Sequence, residues 1–326
     1  MAIVAVTDHV FPDLEQERAM LAEAGHELWF EGNATTPEQV AEAVRGADAV
    51  LNCYTPIPAD VTRSLQGCRI IARYGIGLDT IDLEAATETG IVVTNVPDYC
   101  IDEVSDHALA LALALARGVV RLDRSVHTGS WSPMDAAPLH RLRGRALGLV
   151  GFGRIARALA AKASAIGFRV LAFDPYLPAE AIAAAGAEPC DLPTLLAGSD
   201  VVSLHAPLTP ETHHLIGADA LAQMREGALL VNTSRGPLVD LDALRSALGS
   251  GRIGGAALDV LENEPPAPDD PLLDRDDVIL TPHAAFYSEE SMAELQRKAT
   301  EQVIEALAGR VPPYAVNAEE LGLTRD

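Results

Sequence analysis

Positive charge is scarce in this chain. Lys and Arg number 24 against 47 Asp and Glu, giving a formal net charge of −23 over 326 residues. A nucleic-acid backbone has to be met by basic side chains, so the balance argues against a nucleic-acid partner. An anionic membrane surface is disfavoured for the same reason. Cysteine is sparse as well. Cys53, Cys68, Cys100 and Cys190 form no C-x-x-C pair and fit no zinc spacing, so no metal site is expected and reduced, mostly buried thiols are the default. Long apolar runs are missing: the longest, Ala108 to Ala116, is too short to span a bilayer. Ala2 to Val6 reads as a strand, not as a basic segment followed by an apolar one, so no secretory signal is expected and the cytoplasm is the expected compartment. No repeat of solenoid period occurs, and the alanine-rich Ala179 to Ala187 reads as ordinary helix former.

What is present is an alternation. The length and a hydrophobic content of 48% suggest two domains with two cores. Strand patterns at Ala2 to Thr7, Glu27 to Phe30, Ala49 to Cys53, Arg69 to Ala72 and Ile91 to Thr94 alternate with helical patterns at Leu14 to Ala24, Thr36 to Val44, a short stretch from Pro58, and Leu83 to Glu88. Such alternation predicts a parallel sheet with helices on both faces. Asp102 to Arg117 is one long apolar helix, and Gly118 to Gly144 reads as irregular. A second series of strands follows at Ala146 to Val150, Arg169 to Phe173, Val201 to Leu204, Leu229 to Asn232, Gly255 to Val260 and Val278 to Leu280. A last helix covers Glu290 to Leu307, and the tail returns as Tyr314 to Asn317. The fold class expected is α/β, with two doubly wound parallel-sheet domains. The chain is expected to cross between them near 98–101 and 284–288, with a ligand cleft between the lobes.

The stretch from Leu147 to Asp174 is the most specific. After a short apolar strand come Gly151, Gly153 and Ala156, then apolar positions at helical spacing (Ile155, Leu159, Ala163, Ile166) until Gly167, then a second strand ending at Asp174. This is a βαβ unit with the dinucleotide fingerprint G-x-G-x-x-G/A. Gly151 permits the tight turn, Gly153 lets a pyrophosphate approach the backbone, and Ala156 lets the helix pack on the strand. The N–H groups of Gly153, Arg154 and Ile155 sit at a helix N-terminus that favours an anion. Asp174, 18 residues beyond Ala156, stands where an acceptor meets the ribose 2′-hydroxyl and where a carboxylate would repel a 2′-phosphate. NAD is therefore expected over NADP.

Three later strand ends carry polar residues: Asn232 to Gly236, Asp259 to Pro265 and Thr281 to Ala285. Ligands of open α/β sheets bind outside the carboxyl ends of the strands, so all three should face the cofactor crevice. Oxidising a hydroxyl by hydride transfer needs a base, a cation for a substrate carboxylate, and benefits from a carboxylate that orients the base. His283, Arg235 and Glu264 are of those types. Each has a structural explanation when taken singly; it is the shared placement that points to catalysis.

In these motifs the chain resembles the D-isomer-specific 2-hydroxyacid dehydrogenase family. The likeness runs nearly end to end: Arg73 to Gly77, the fingerprint, Asn232 to Asp240, Ala257 to Pro265 and Thr281 to Ala285. Asp98 to His107 and His283 to Glu289 resemble the C-terminal-binding-protein branch most closely, although Phe286 stands where that branch usually has Trp. The resemblance implies a Rossmann NAD domain (101–286) inserted in a flavodoxin-like substrate domain (1–100 and 287–326). It implies His283 as acid/base, Glu264 as its partner, and Arg235 on the substrate's carboxylate and carbonyl. Backbone amides of Tyr74, Gly75, Ile76 and Gly77 would bind the same carboxylate. Asp259 would meet the nicotinamide carboxamide; His205, Ala206, Pro207, Thr212, Thr233, Ser234 and Ala285 would line the cofactor site.

The implied activity is reversible NAD-dependent reduction of a small 2-keto acid to a D-2-hydroxy acid. Formate dehydrogenases, distant relatives in appearance, carry Gln in place of the Glu, so Glu264 speaks against formate. Two alternatives stay open: 3-phosphoglycerate as substrate, for which Arg73 and Arg235 are the only cations to nominate, and an NAD(H)-sensing corepressor-like binding protein. No room is seen after Asn317 for the regulatory domain of many phosphoglycerate dehydrogenases. Arg117 to Arg145 resembles a dimerisation element, so a homodimer through the NAD domain is expected. Trp131 is either an interface anchor or a core tryptophan under a loop.

Overall fold

The apolar runs expected to be strands are strands, most of them within two residues of the expected bounds. The computed structural model describes residues 1–324. It divides into two compact units, Met1–Cys100 together with the segment from Ser288 onward, and Ile101–Tyr287. Among the described residues the strand ladders of both units are parallel throughout.

In the first unit the strands β1 (Ile3–Val6), β2 (Glu27–Trp29), β3 (Ala49–Asn52), β4 (Ile70–Arg73) and β5 (Val92–Thr94) form a sheet in the order β2-β1-β3-β4-β5. This is the flavodoxin-like doubly wound order. β3 and β4 bury every residue, as continuous apolar strands covered on both faces must. The helix Glu289–Leu307 belongs to this unit. A reciprocal box between Ser288 and Ser291 opens it, each backbone N–H donating to the other's hydroxyl at 2.9 Å. Leu295, Ala299, Val303 and Leu307 are its buried stripe at helical spacing. The tail returns to the sheet edge, where the Val316 N–H donates to the Val93 carbonyl at 2.9 Å and the Asn317 side chain accepts from the Val93 N–H at 2.9 Å.

The second unit carries β6 (Ala146–Val150), β7 (Arg169–Phe173), β8 (Glu188–Pro189), β9 (Val201–Leu204), β10 (Ala228–Asn232), β11 (Ile253–Leu258) and β12 (Val278–Leu280), ordered β12-β11-β10-β9-β6-β7-β8. The order reverses between β6 and β9, the topological switch point of a Rossmann sheet. Between β6 and β7 the helix Arg154–Ala165 buries Ala156, Leu159, Ala160 and Ala163. Three alanines on that face let it lie close to the sheet and to the helix Ile101–Ala116, which buries Ala108, Leu111 and Ala112 in the same cluster. Truncating Leu159, fully buried there, would cost about 2–5 kcal/mol.

One expectation fails. The segment Gly118 to Gly144, read as irregular, contains the helix Val119–His127 and a single 3-10 turn at Pro133–Ala136. The helix is strongly amphipathic, yet none of its residues is fully buried: Val120 and Leu122 are half-buried, and Val119 and Val126 are exposed. Trp131 is 88% exposed, which overturns its reading as a core residue.

Candidate active site

The fingerprint turn follows β6 at the switch point. Gly151 takes φ 85°, and a Cβ there would lie 2.7 Å from the Ala206 nitrogen and the His205 carbonyl carbon. Glycine is thus required twice, by conformation and by the close approach of the 205–206 backbone. Gly153 is the opposite case: a Cβ built on it meets nothing within 4 Å. It caps the helix Arg154–Ala165, so Arg154 and Ile155 occupy the first turn, where N–H groups have no intrahelical acceptor. Open space at a helix N-terminus of this length fits a pyrophosphate. Ala156 is fully buried.

Asp174 lies just past β7 and reaches back over this turn. Its Oδ2 accepts from the Phe152 N–H at 2.9 Å and its Oδ1 from the Tyr176 N–H at 2.9 Å. The carboxylate is half-buried beside the fingerprint, where it can take ribose hydroxyls and where a 2′-phosphate would meet like charge.

Across the switch point, the chain after β9 runs through His205, Ala206 and Pro207. His205 Nε2 lies 2.9 Å from Ser203 Oγ, and burial pushes the His205 pKa down to about 4, so the ring is neutral. Thr212 closes the following turn: its hydroxyl donates to the Pro207 carbonyl at 2.7 Å and accepts from the Thr209 N–H at 2.8 Å. After β10, Ser234 ties the loop down by donating to the Leu204 carbonyl at 2.8 Å, while the Thr233 hydroxyl is buried with no hydrogen-bond partner. An orphaned buried hydroxyl between two strand ends is what a cofactor's polar group would satisfy.

The ends of β10, β11 and β12 bring the three chemistry-bearing residues to one edge. His283 Nδ1 lies 2.7 Å from Glu264 Oε2. The other carboxylate oxygen of Glu264 accepts from the Leu261 N–H at 2.9 Å. Burial pushes the Glu264 carboxyl up, but the hydrogen bond and charge of His283, the Leu261 N–H and the Arg235 guanidinium outweigh it and hold the group below the usual carboxylate range. Arg235 is half-buried, its Nη1 donating to the Ser234 carbonyl at 2.8 Å, and the carbonyl of Arg235 accepts from Asn232 Nδ2 at 2.8 Å. Gly236 lets this loop touch the next: a Cβ on it would stand 1.9 Å from the Leu261 carbonyl carbon.

Asp259 is 2% exposed and organises the turn that carries His283. Its Oδ1 accepts from the Thr281 hydroxyl at 2.6 Å and the Ala284 N–H at 2.9 Å, and its Oδ2 from the Ala285 N–H at 2.9 Å. The His283 N–H donates to the Asp259 carbonyl at 2.7 Å. His283 itself has φ 52°, a left-handed conformation that non-glycine residues adopt only when their surroundings impose it. These supports escape a strand-end reading, because the residue types of the segment 281–285 do not show that its hydroxyl and N–H groups converge on Asp259. A second His–Glu pair also escapes it: His214 Nε2 lies 2.5 Å from Glu262 Oε1, and His214 has φ 53°.

In the first unit the loop after β4 holds Tyr74, Gly75, Ile76 and Gly77. The Tyr74 hydroxyl donates to the buried Glu17 at 2.9 Å. The Gly75 carbonyl accepts from the Val96 N–H at 2.8 Å and the Ile76 carbonyl from Asn95 Nδ2 at 2.7 Å. Gly75 has φ 139°, and a Cβ there would collide with the Arg73 guanidinium, whose Nη1 would be 1.5 Å away. Among the described residues the Ile76 and Gly77 N–H groups donate to no backbone acceptor.

Residues 109–285 match the family described as "D-isomer specific 2-hydroxyacid dehydrogenase, NAD binding domain". The glyoxylate reductase of Korarchaeum cryptofilum is 42% identical over 298 residues, 90% of this chain and 90% of that protein. The D-3-phosphoglycerate dehydrogenase of Archaeoglobus fulgidus is 36% identical over 306 residues, 94% of this chain and 58% of that protein. The crystal structure of D-lactate dehydrogenase from Aquifex aeolicus, complexed with NAD and lactic acid, superposes with a TM-score of 0.83 at 28% identity, covering 94% of this chain and 96% of that one. With a Rossmann sheet, an intact fingerprint and the His–Glu pair in place, the chain belongs to the D-isomer-specific 2-hydroxyacid dehydrogenase family, NAD-dependent oxidoreductases that interconvert 2-keto acids and D-2-hydroxy acids.

Proposed function

We propose that the preferred substrates are the smallest 2-keto acids, glyoxylate and its near neighbours, reduced with NADH. The observation that carries the catalytic part is the 2.7 Å bond between His283 and Glu264 at adjacent strand ends. It fixes the imidazole through Nδ1 and turns Nε2 to the opposite side of the ring, where it gives a proton to the carbonyl oxygen as that oxygen gains charge. Bound NADH supplies the hydride to the carbonyl carbon. Arg235 holds the substrate's carboxylate and polarises its carbonyl, and the amides of Tyr74 to Gly77 bind the carboxylate. Gly151, Gly153, Arg154 and Ile155 take the pyrophosphate and Asp174 the adenine ribose. His205 to Pro207, Thr212, Thr233, Ser234 and Ala285 line the rest of the cofactor site, with Asp259 at the nicotinamide carboxamide. In this assignment Ile101–Tyr287 is the NAD unit and the other unit carries the substrate loop.

The glyoxylate preference is supported by the 42% identical glyoxylate reductase. NADH and NADPH oxidation against glyoxylate, hydroxypyruvate, phosphohydroxypyruvate, pyruvate and longer apolar keto acids tests it. Highest kcat/KM for glyoxylate or hydroxypyruvate upholds the reading. Highest kcat/KM for phosphohydroxypyruvate makes the protein a phosphoglycerate dehydrogenase, and tight NADH binding without turnover makes it a dinucleotide sensor.

The same reading makes the protein a cytoplasmic homodimer joined through the NAD unit. Support for the dimer comes from one segment of that unit, where Val119, Val126, Trp131 and Met134 are all exposed and no residue of the amphipathic helix Val119–His127 is fully buried. A cluster of large apolar side chains left open to water marks an association surface. Three cysteines are buried and none is paired, which suits a reducing compartment.

A further inference from the structure

We infer that His107, on the helix Ile101–Ala116, is a positioning residue for His283. The inference rests on the acid/base role proposed above. His107 Nε2 lies 3.1 Å from the Thr281 hydroxyl and 3.6 Å from Asp259 Oδ1. Thr281 Oγ is itself 2.6 Å from Asp259 Oδ1. A hydroxyl has one proton, and an oxygen pair at that distance needs it between them, so Thr281 donates to Asp259. The lone pairs of Thr281 then face His107, and the contact is a hydrogen bond only if Nε2 carries the proton. The structure thereby assigns the tautomer of His107: Nε2–H.

The consequence reaches His283 through the backbone. Asp259 is 2% exposed, and burial of a carboxylate is tolerated only where donors surround it. Those donors are the Thr281 hydroxyl and the N–H groups of Ala284 and Ala285, which bracket His283 in sequence on both sides. Among the described residues, His107 is the one titratable side chain within ion-pair distance of Asp259. It stands on a rigid helix that buries Val104, Ala108 and Leu111 in the same unit. His107 therefore ties the turn to a fixed element, and its Nε2–H is the anchoring group. Removing it leaves Thr281 and Asp259 bonded to each other but no longer tied to the helix, and the left-handed His283 loses part of what imposes its conformation. A displacement of about 1 Å at a proton-transferring group costs up to 100-fold in rate.

The experiment compares His107→Leu, His107→Gln and Thr281→Val with His283→Ala in the NADH-dependent reduction of glyoxylate. Gln can place an amide N–H close to where Nε2–H stood. Expected are a kcat loss on the order of tenfold or more for His107→Leu and Thr281→Val, NADH affinity within about twofold of the parent, and recovery of most of the loss by His107→Gln. Ring ¹⁵N NMR of the unmodified protein, which needs no variant to fold, is expected to find His107 protonated on Nε2. An Nδ1–H tautomer, an unchanged kcat in His107→Leu, or a Gln variant as slow as the Leu variant overturns the inference. His283→Ala separates the two levels. If it keeps full turnover, the acid/base reading falls and the role of His107 with it; if it is inactive while His107→Leu is normal, the inference about His107 falls alone.

Discussion

Glu264 and His283 face each other across the ends of β11 and β12, Oε2 to Nδ1 at 2.7 Å, and Glu264 is held in the ionised form in that contact. A carboxylate beside an imidazole stabilises the protonated ring, which is the form that donates in keto-acid reduction. Glu264→Gln keeps the shape and removes the charge. The alkaline limb of kcat/KM for reduction should move to lower pH, and kcat at pH 7.5 should fall by about 10–100-fold. A pH–rate profile of the variant against the parent checks this; coincident limbs would remove Glu264 from the proton-donating pair.

Asp174 does two things at once. In the proposed cofactor site it offers a charge to the ribose, and in the structure it accepts the Phe152 and Tyr176 N–H groups that shape the fingerprint turn. Asp174→Ala should raise the NADPH/NADH ratio of kcat/KM by about tenfold, because a like charge near the 2′-phosphate is gone. It should also lower stability by about 1–3 kcal/mol, because two backbone donors lose their acceptor. Steady-state kinetics with both cofactors, paired with thermal melts, separates the two effects. An unchanged cofactor ratio would mean that the carboxylate serves the turn alone.

Much of this is legible in the sequence, and the reason is locality. The strand–turn–helix–strand of residues 146–173 is specified by neighbours in sequence: a buried apolar run, small residues at the turn, and a 3.6-residue stripe on the helix. Its two strands have the predicted bounds. The helix Val119–His127 was not legible, since none of its residues is fully buried and the left-handed Gly118 before it reads as a break. The support of His283 was not legible either. Thr281, Ala284 and Ala285 stand 22 to 26 residues from Asp259, and His107 is 174 residues from Thr281. Such contacts are set by the order of strands in the sheet, which residue types at a strand end do not announce.

His205 gives the second unit a pH dependence of known sign. Burial lowers its pKa from 6.5 to about 4, so between those values the unfolded chain binds a proton that the folded chain refuses. Stability from this group is complete above pH 6.5 and declines as pH falls toward 4, by about 3 kcal/mol at most. Melting temperatures measured from pH 7.5 to 4.5 should fall across that window, and the slope should be shallower in His205→Gln, whose side chain does not titrate. Parallel slopes in parent and variant would place the acid sensitivity elsewhere.

Gly236 ties the arginine loop to the glutamate loop. A Cβ at this position would lie 1.9 Å from the Leu261 carbonyl carbon, 2.0 Å from its oxygen and 2.5 Å from the Glu262 nitrogen. All three are backbone atoms, so no rotamer change relieves the clash, and the chain from Leu261 to Glu264 has to retreat. Glu264 is carried on that chain through the Leu261 N–H that it accepts. Gly236→Ala should therefore lower stability by about 1–3 kcal/mol, as overpacking of a close contact does. That corresponds to roughly 2–12 °C in the melting temperature of a unit of this size. It should also depress kcat more than it weakens NADH binding, because the fingerprint lies on the far side of the switch point. Thermal melts together with NADH titration and turnover test both parts. A variant with parental stability and kcat would show that the two loops move independently and that Arg235 and Glu264 are not held in register by this contact.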